Sequence, residues 1–260
     1  MNEPFSNREA PAPSSAPEPV SPPQTVRVAL PSLVPMATYF ILGFTVLIYL
    51  LQMASTAILN GEDLPLMLGA RVTELILKGQ WWRFITPVFL HGSVAHIFFN
   101  MYALLSLGTL LERHFGHCRF LLLYFLGAFA GNVFSFLLTE GYSVGASTAV
   151  FGLVAAEGVF FYQNRELFGG QAKKAISNAV FIIAINLFIG LSPGIDNWGH
   201  VGGLLGGAMF AWFAGPRWQV AGIYPNLHLQ DQREFREIVL GAGMVLLIFG
   251  MLVAWKLFSA

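Results

Sequence analysis

The feature that most constrains this chain is a series of apolar runs, each long enough to cross a bilayer. A membrane helix needs about 17–25 apolar residues to span the hydrocarbon. Seven stretches qualify, near residues 36–58, 94–111, 119–138, 144–162, 175–191, 198–215 and 238–258. Two of them are rich in glycine and short of leucine, a composition that suits closely packed membrane helices. Together the runs leave no room for a separate soluble domain. An all-α membrane protein is therefore expected. Composition agrees: 55% of residues are hydrophobic and 11% charged, against about a quarter charged in a soluble domain. A formal net charge of zero gives no reason to expect a nucleic-acid partner. The single cysteine, Cys118, excludes an internal disulfide.

Residues 1–31 are different material. They hold eight prolines among Ser, Glu and Gln, with no apolar run. Such a segment cannot bury a core and is expected to be disordered. It lacks the charged-then-apolar order of a signal peptide. With two arginines and three glutamates it also lacks the character of a mitochondrial presequence.

Lys and Arg favour the cytoplasmic side of a membrane. With the N-terminus inside, ten of them (Arg8, Arg27, Arg113, Arg119, Arg165, Lys173, Lys174, Arg217, Arg233 and Arg236) fall on that side and four (Arg71, Lys78, Arg83 and Lys256) outside. This orientation places the loop 59–93 and the C-terminus outside. The second, fourth and sixth helices then begin at the outer surface, so the polar residues near their starts lie at a common depth. These are His96 and Asn100, Ser147, and His200.

Amide hydrolysis needs a nucleophile, a base and donors for the oxyanion. A serine becomes nucleophilic when an imidazole takes its proton, and Ser147 with His200 supplies that pair. His96 and Asn100, at i and i+4, share a helix face and both donate hydrogen bonds. No Asp or Glu is expected beside them, which favours a dyad over a triad. Gly199, Gly203 and Gly207 form a small-residue stripe, and Gly145, Thr148, Ala149, Gly152 and Ala156 form small faces on the fourth helix. Such faces allow backbone contact between membrane helices and would bring Ser147 to His200. Phe151, one turn after Ser147, is placed to pack on the His200 ring.

These residues resemble the rhomboid family of intramembrane serine proteases. The resemblance rests on Trp81-Trp82-Arg83, on His91, His96 and Asn100, on Gly145-Ala146-Ser147, on His200 with Gly203 and Gly207, and on Gly108, Glu112 and Gly116. It covers about residues 35–215. It implies a six-helix transmembrane bundle, here with one further C-terminal helix, that cleaves single-span membrane proteins. By that matching Ser147 attacks and His200 is base and then acid. His96, Asn100 and the Ser147 N–H stabilise the oxyanion. Gly145, Phe151, Gly203, Gly207, His91, Trp82 and Arg83 support the site. The implied organisation is a cytoplasmic segment 1–31, a core 32–215, a cytoplasmic linker 216–237 and a seventh helix 238–260, in the plasma or inner membrane. Partners are transmembrane substrates and the lipid bilayer, with no cofactor and no metal. Thr148 departs from the pattern, which usually has glycine there, and β-branching stiffens that position.

Other readings remain at this stage. A catalytically inactive relative that binds membrane clients would keep the fold. A small-solute transporter would show internal repeats, and none is found. His91, His96 and His200 could in principle hold a metal, but the His-Glu-x-x-His pattern is absent. Trp81 and Trp82 could simply belong to the interfacial aromatic belt, and Arg83 could snorkel to headgroups. Glu157, about 15 Å deeper than Ser147, is given no catalytic role and is expected to pair internally or face a wet cavity. His114, His117 and His228 are expected to be solvated.

Overall fold

The computed structural model describes residue 28 and residues 33–259; apart from residue 28, the segment 1–31 lies outside the described residues. From the N-terminal side, α1 (Met36–Ile58) leads into a long loop built of α2 (Leu64–Gly69), β1 (Arg71–Val72), α3 (Thr73–Leu77) and two 3-10 turns, Trp81–Phe84 and Thr86–Phe89. The chain then enters α4 (Val94–Ala103), a π-helical turn (Leu104–Gly108) and α5 (Thr109–Phe115), which follow one another without interruption. After α6 (His117–Leu138) come β2 (Tyr142–Ser143), α7 (Ser147–Gln163), α8 (Arg165–Phe168), α9 (Gly170–Ile189) and α10 (Asn197–Ala214). A hairpin of β3 (Trp218–Ala221) and β4 (His228–Asp231) precedes α11 (Phe235–Ser259). The architecture is a helical membrane bundle, with α10 packed between α6 and α7.

Among the described residues, four helical stretches are long and apolar enough to cross a membrane: Met36–Ile58, Val94–Leu138, Gly170–Ile189 and Phe235–Ser259. The stretch Val94–Leu138 contains two of the expected runs, divided at Gly116, whose φ of +76° reverses the chain. α7 and α10 fall outside this group for a physical reason. α7, at 17 residues, is short, and α10 carries five glycines that lower its hydropathy; much of each packs against neighbouring helices. Val150, Leu153, Ala156 and Phe160 of α7 are buried, as are Gly203, Gly207 and Phe210 of α10. The outer helices show the opposite pattern: in the most apolar stretches of α1 and α9, 17% and 11% is buried.

Two glycine faces explain the position of α10. A Cβ on Gly203 would overlap the Thr148 carbonyl, and one on Gly207 would overlap the backbone of Gly152, so backbone meets backbone between α10 and α7. Gly202 and Gly206 form a second face, where a Cβ would collide with Ala130 of α6. Contact this close is available only to glycine and is the usual basis of small-residue packing in membranes.

A second clasp holds the opposite end. Pro35 offers α1 no side-chain cap. The carboxylate of Glu112, on α5, accepts instead from the Ala37 N–H (2.8 Å), the Thr38 N–H (2.7 Å) and the Thr38 hydroxyl (2.6 Å). A negative charge there also complements the helix dipole. Gly108 makes this possible, since a Cβ would lie 2.9 Å from the Thr38 side chain.

Two features differ from expectation. Residues 216–237 are a built structure rather than a plain linker: β3 and β4 pair antiparallel, Trp218 opposite Asp231 and Ala221 opposite His228. The hairpin is tied to the bundle by the Arg119–Asp231 ion pair (2.5 Å) and by Asn164. That side chain donates to the Pro216 carbonyl (3.0 Å) and accepts from the Trp218 N–H (2.7 Å). His114 is not solvated: its ring lies 4.7 Å from that of Phe160, and its Nδ1 is buried.

Candidate active site

Ser147 is the first residue of α7, where the helix leaves its leading N–H groups without intrahelical acceptors. The turn before it is set by Gly145, at φ +125°. A Cβ there would also lie 2.7 Å from His96 Nε2, so the His96 imidazole rests directly on Gly145, beside Ser147. Two hydrogen bonds hold this turn against the first loop. The Gly145 N–H donates to the Pro87 carbonyl (2.9 Å), and the Ala146 N–H donates to His91 Nε2 (3.4 Å). His91 is itself gripped by Gln52 of α1, whose Oε1 accepts from the His91 N–H (3.0 Å).

His200 sits in the first turn of α10, 8% exposed, with Nε2 2.9 Å from Ser147 Oγ. Its ring stacks on Phe151, with centroids 4.1 Å apart and planes 10° from parallel. Its Nδ1 is buried and has no partner among the described residues. The stack and the bond to Ser147 therefore fix the ring. For Nε2 to accept the serine proton, Nδ1 must carry the imidazole hydrogen.

The structure does not bring every candidate to the same point. Asn100 is buried, but its Nδ2 donates to the His96 carbonyl one turn back (2.9 Å) rather than to the dyad. Arg83 does not snorkel. It is 2% exposed and donates to the carbonyls of Ala70 (2.6 Å) and Met67 (2.7 Å), closing the end of α2. Trp82 is exposed, with its indole N–H on the Leu68 carbonyl (3.0 Å). Both side chains shape the first loop at some distance from Ser147. Glu157 is buried, and its Oε2 has neither a pairing partner nor a hydrogen bond among the described residues, so the expected internal pair is not seen there.

Comparison with known proteins bears on this arrangement. The Rhomboid domain family model matches residues 78–217, more than half of the chain. The chain belongs to the rhomboid family. Similar proteins include the Rhomboid protease GluP of Bacillus subtilis, 39% identical over 174 residues, which are 66% of this chain and 34% of that protein. RHOMBOID-like protein 2 of Arabidopsis thaliana is 32% identical over 186 residues, 70% of this chain and 58% of its own length. Rhomboid-like protease 3 of Toxoplasma gondii is 36% identical over 152 residues, 56% of each. The chain thus spans only about a third to three fifths of these relatives.

The matched span of this rhomboid contains every candidate site residue and stops before α11. Within it lies a residue that sequence reasoning missed. Asp196 caps α10 one turn before His200, accepting from the Gly199 N–H (2.9 Å), Thr139 (2.7 Å) and the Ser135 hydroxyl. The expectation of no acid nearby is therefore corrected. The carboxylate is nevertheless engaged by these donors and makes no hydrogen bond to His200 Nδ1. Burial alone pushes the Asp196 carboxyl up, but hydrogen bonds from Ser135, Ser143, Thr139 and Gly199 outweigh it and hold it below the usual range. Its signal was present in sequence only as an Asp before a helix start. The donors sit 57 and 61 residues away.

Proposed function

We propose that this rhomboid is an intramembrane serine endopeptidase acting on membrane-spanning proteins, with Ser147 as nucleophile and His200 as base. The observation that carries this reading is the 2.9 Å contact between Ser147 Oγ and His200 Nε2 at the N-terminus of α7. In the reaction, Ser147 Oγ attacks the scissile carbonyl carbon while its proton passes to His200 Nε2. The carbonyl π electrons move to oxygen. That oxyanion faces the Ser147 N–H, the positive end of the α7 dipole and the His96 ring, with Asn100 one turn deeper. Collapse of the tetrahedral centre breaks the C–N bond, and His200 returns its proton to the leaving amine. Water then attacks the acyl-serine, again losing its proton to His200, which passes it back to Ser147 Oγ.

Membership in a family whose relatives bear the names of proteases supports this reading. So does the accommodation of Thr148, which would otherwise favour an inactive client-binding relative. Its side chain lies in space left by Gly131, so the helix start need not shift to house it. An activity-based fluorophosphonate is the direct test. The purified chain is expected to label, Ser147→Ala to lose labelling completely, and His200→Ala to lose at least about 10³-fold in rate. Equal labelling of the wild type and Ser147→Ala refutes the assignment.

A further inference from the structure

Toward the end of α7 remote from Ser147 lie two neighbouring cavities. The first, about 320 Å³, is an apolar groove within the helical stretch, lined by Val154, Gly158 and Tyr162 of α7, Ile176 and Val180 of α9, and Trp212 of α10. The second, about 230 Å³, lies where α7 gives way to α8 and the hairpin begins. Its wall includes Gln163, Arg165, Glu166, Arg217 and Trp218. Tyr162 lines the first and Gln163 the second. Tyr162 and Trp212 stack with ring centroids 6.1 Å apart, and the next residue, Gln163, donates to the Trp212 carbonyl (2.9 Å). An apolar groove and a polar pocket therefore lie close together beside an aromatic pair.

The chemistry of each part points to the same occupant. The groove is walled on one side by α9, whose surface is largely unburied, so the medium available to fill it is acyl chain. In the pocket, Arg165 and Arg217 are both exposed, and Arg165 spreads over the Tyr162 ring, 4.8 Å from its centroid. Two cations are set against the single acid Glu166. Trp218 Nε1–H is buried in the wall with no acceptor among the described residues, and Gln163 Oε1 has no donor. Basic pockets between helices at the membrane surface favour anionic headgroups. Stacked tyrosine and tryptophan suit the headgroup level.

We propose that the neighbouring groove and pocket together bind a phospholipid with an anionic headgroup, its acyl chain between α7 and α9 and its phosphate between Arg165 and Arg217. The site is separate from the dyad and does not depend on the chain being a protease. α9, with little of its surface buried, is held to α7 partly through this lipid.

The test uses the full chain, delipidated in detergent and examined by native mass spectrometry. The probes are phosphatidylglycerol, phosphatidylcholine with the same acyl chains, and glycerol 3-phosphate. Phosphatidylglycerol should be retained at least about 10-fold more strongly than phosphatidylcholine, a difference of about 1.4 kcal/mol. Arg165→Gln with Arg217→Gln should remove that preference; both side chains are exposed, so folding should survive. Gly158→Leu, whose first carbon would meet Ala179 only at 3.7 Å, fills the groove and should weaken both lipids. Equal retention of the two lipids, or an unchanged preference in the double Arg variant, overturns the headgroup assignment. Glycerol 3-phosphate binding as tightly as phosphatidylglycerol, or lipid binding unaffected by Gly158→Leu, overturns the acyl-chain assignment.

Discussion

Thr148 follows Ser147 where the resemblance leads one to expect glycine, and a glycine on another helix makes room for it. A Cβ on Gly131 would lie 2.5 Å from Thr148 Cβ and 2.6 Å from the Gly199 carbonyl, so the threonine occupies what Gly131 leaves open. Gly131→Ala should therefore overpack the start of α7, costing about 1–3 kcal/mol, and slow fluorophosphonate labelling. Adding Thr148→Gly should restore part of both, because it removes the Thr148 atoms that collide and leaves only the Gly199 carbonyl contact. Melting and labelling of the single and double variants read this coupling; purely additive effects would show that the two residues do not share the space. Asp196 offers a pH test with a defined sign. Its native carboxyl lies below the usual range, so the stability it contributes is fully present above its unfolded value, about pH 4. That contribution is lost as pH falls through the lower native value. Asp196→Asn should thus melt below the wild type at pH 7, by about 1.5–3 kcal/mol for charged hydrogen bonds. The gap should close as pH drops below 4; a gap that widens with acid contradicts the assignment. At this scale the proximity of Ser147 and His200 could be anticipated, because polar side chains within apolar runs are expensive to keep. The parts played by Asp196, Gln52 and Gly131 could not. Each acts through a partner far away in sequence, and no local pattern marks it.

The helices were legible from run length and composition, and so was the close crossing of α7 and α10 from the stripe Gly199, Gly203, Gly207. The second face, Gly202 and Gly206, follows the same spacing, but its meaning depends on knowing that α6 lies there. The two-residue strands β1 and β2 and the hairpin β3–β4 had no comparable signal. They are too short for alternation to register, and they are held by side chains such as Asn164 and Arg119 on other elements. The stripe also yields a test of how the dyad is assembled. No disulfide joins α7 to α10, and at Gly203 there is no room for even one carbon against the Thr148 carbonyl. Gly203→Val must push the helices apart next to Ser147 and His200. A misplacement of about 1 Å costs on the order of 10²-fold in rate. Gly203→Val is expected to insert in the membrane but to lose most labelling and proteolysis. Gly243→Val, where a Cβ meets nothing within 4 Å on α11, should behave as wild type. Wild-type activity in Gly203→Val would show that this crossing does not set the dyad geometry.

For the molecule as a whole, orientation follows from where its cations can act. The sequence count was ten Lys and Arg inside against four outside. In the folded chain two of the outer four, Arg71 and Arg83, are buried in the protein, at 0% and 2% exposure. Their charge is spent on carbonyls and hydroxyls of the first loop, with Arg71 donating to Thr73 and Gly141 and Arg83 to Ala70 and Met67. Lys78 and Lys256 remain on that side, while Arg113, Arg165, Lys173, Lys174 and Arg217 stay exposed on the other. Lys and Arg in short loops near span ends set the orientation. The N-terminus should thus be cytoplasmic, with Ser147 near the outer surface and the C-terminus outside. Reporter fusions at Ala260 and within the 163–174 loop are expected to report opposite sides, with the loop inside. Lys78→Glu should leave this unchanged, since the bias is already large. Two reporters on one side would mean that α9, α10 and α11 do not all cross the membrane. The common depth of His96, Ser147 and His200 would then have to come from packing against α6 and the first loop, rather than from three helices entering from the same surface.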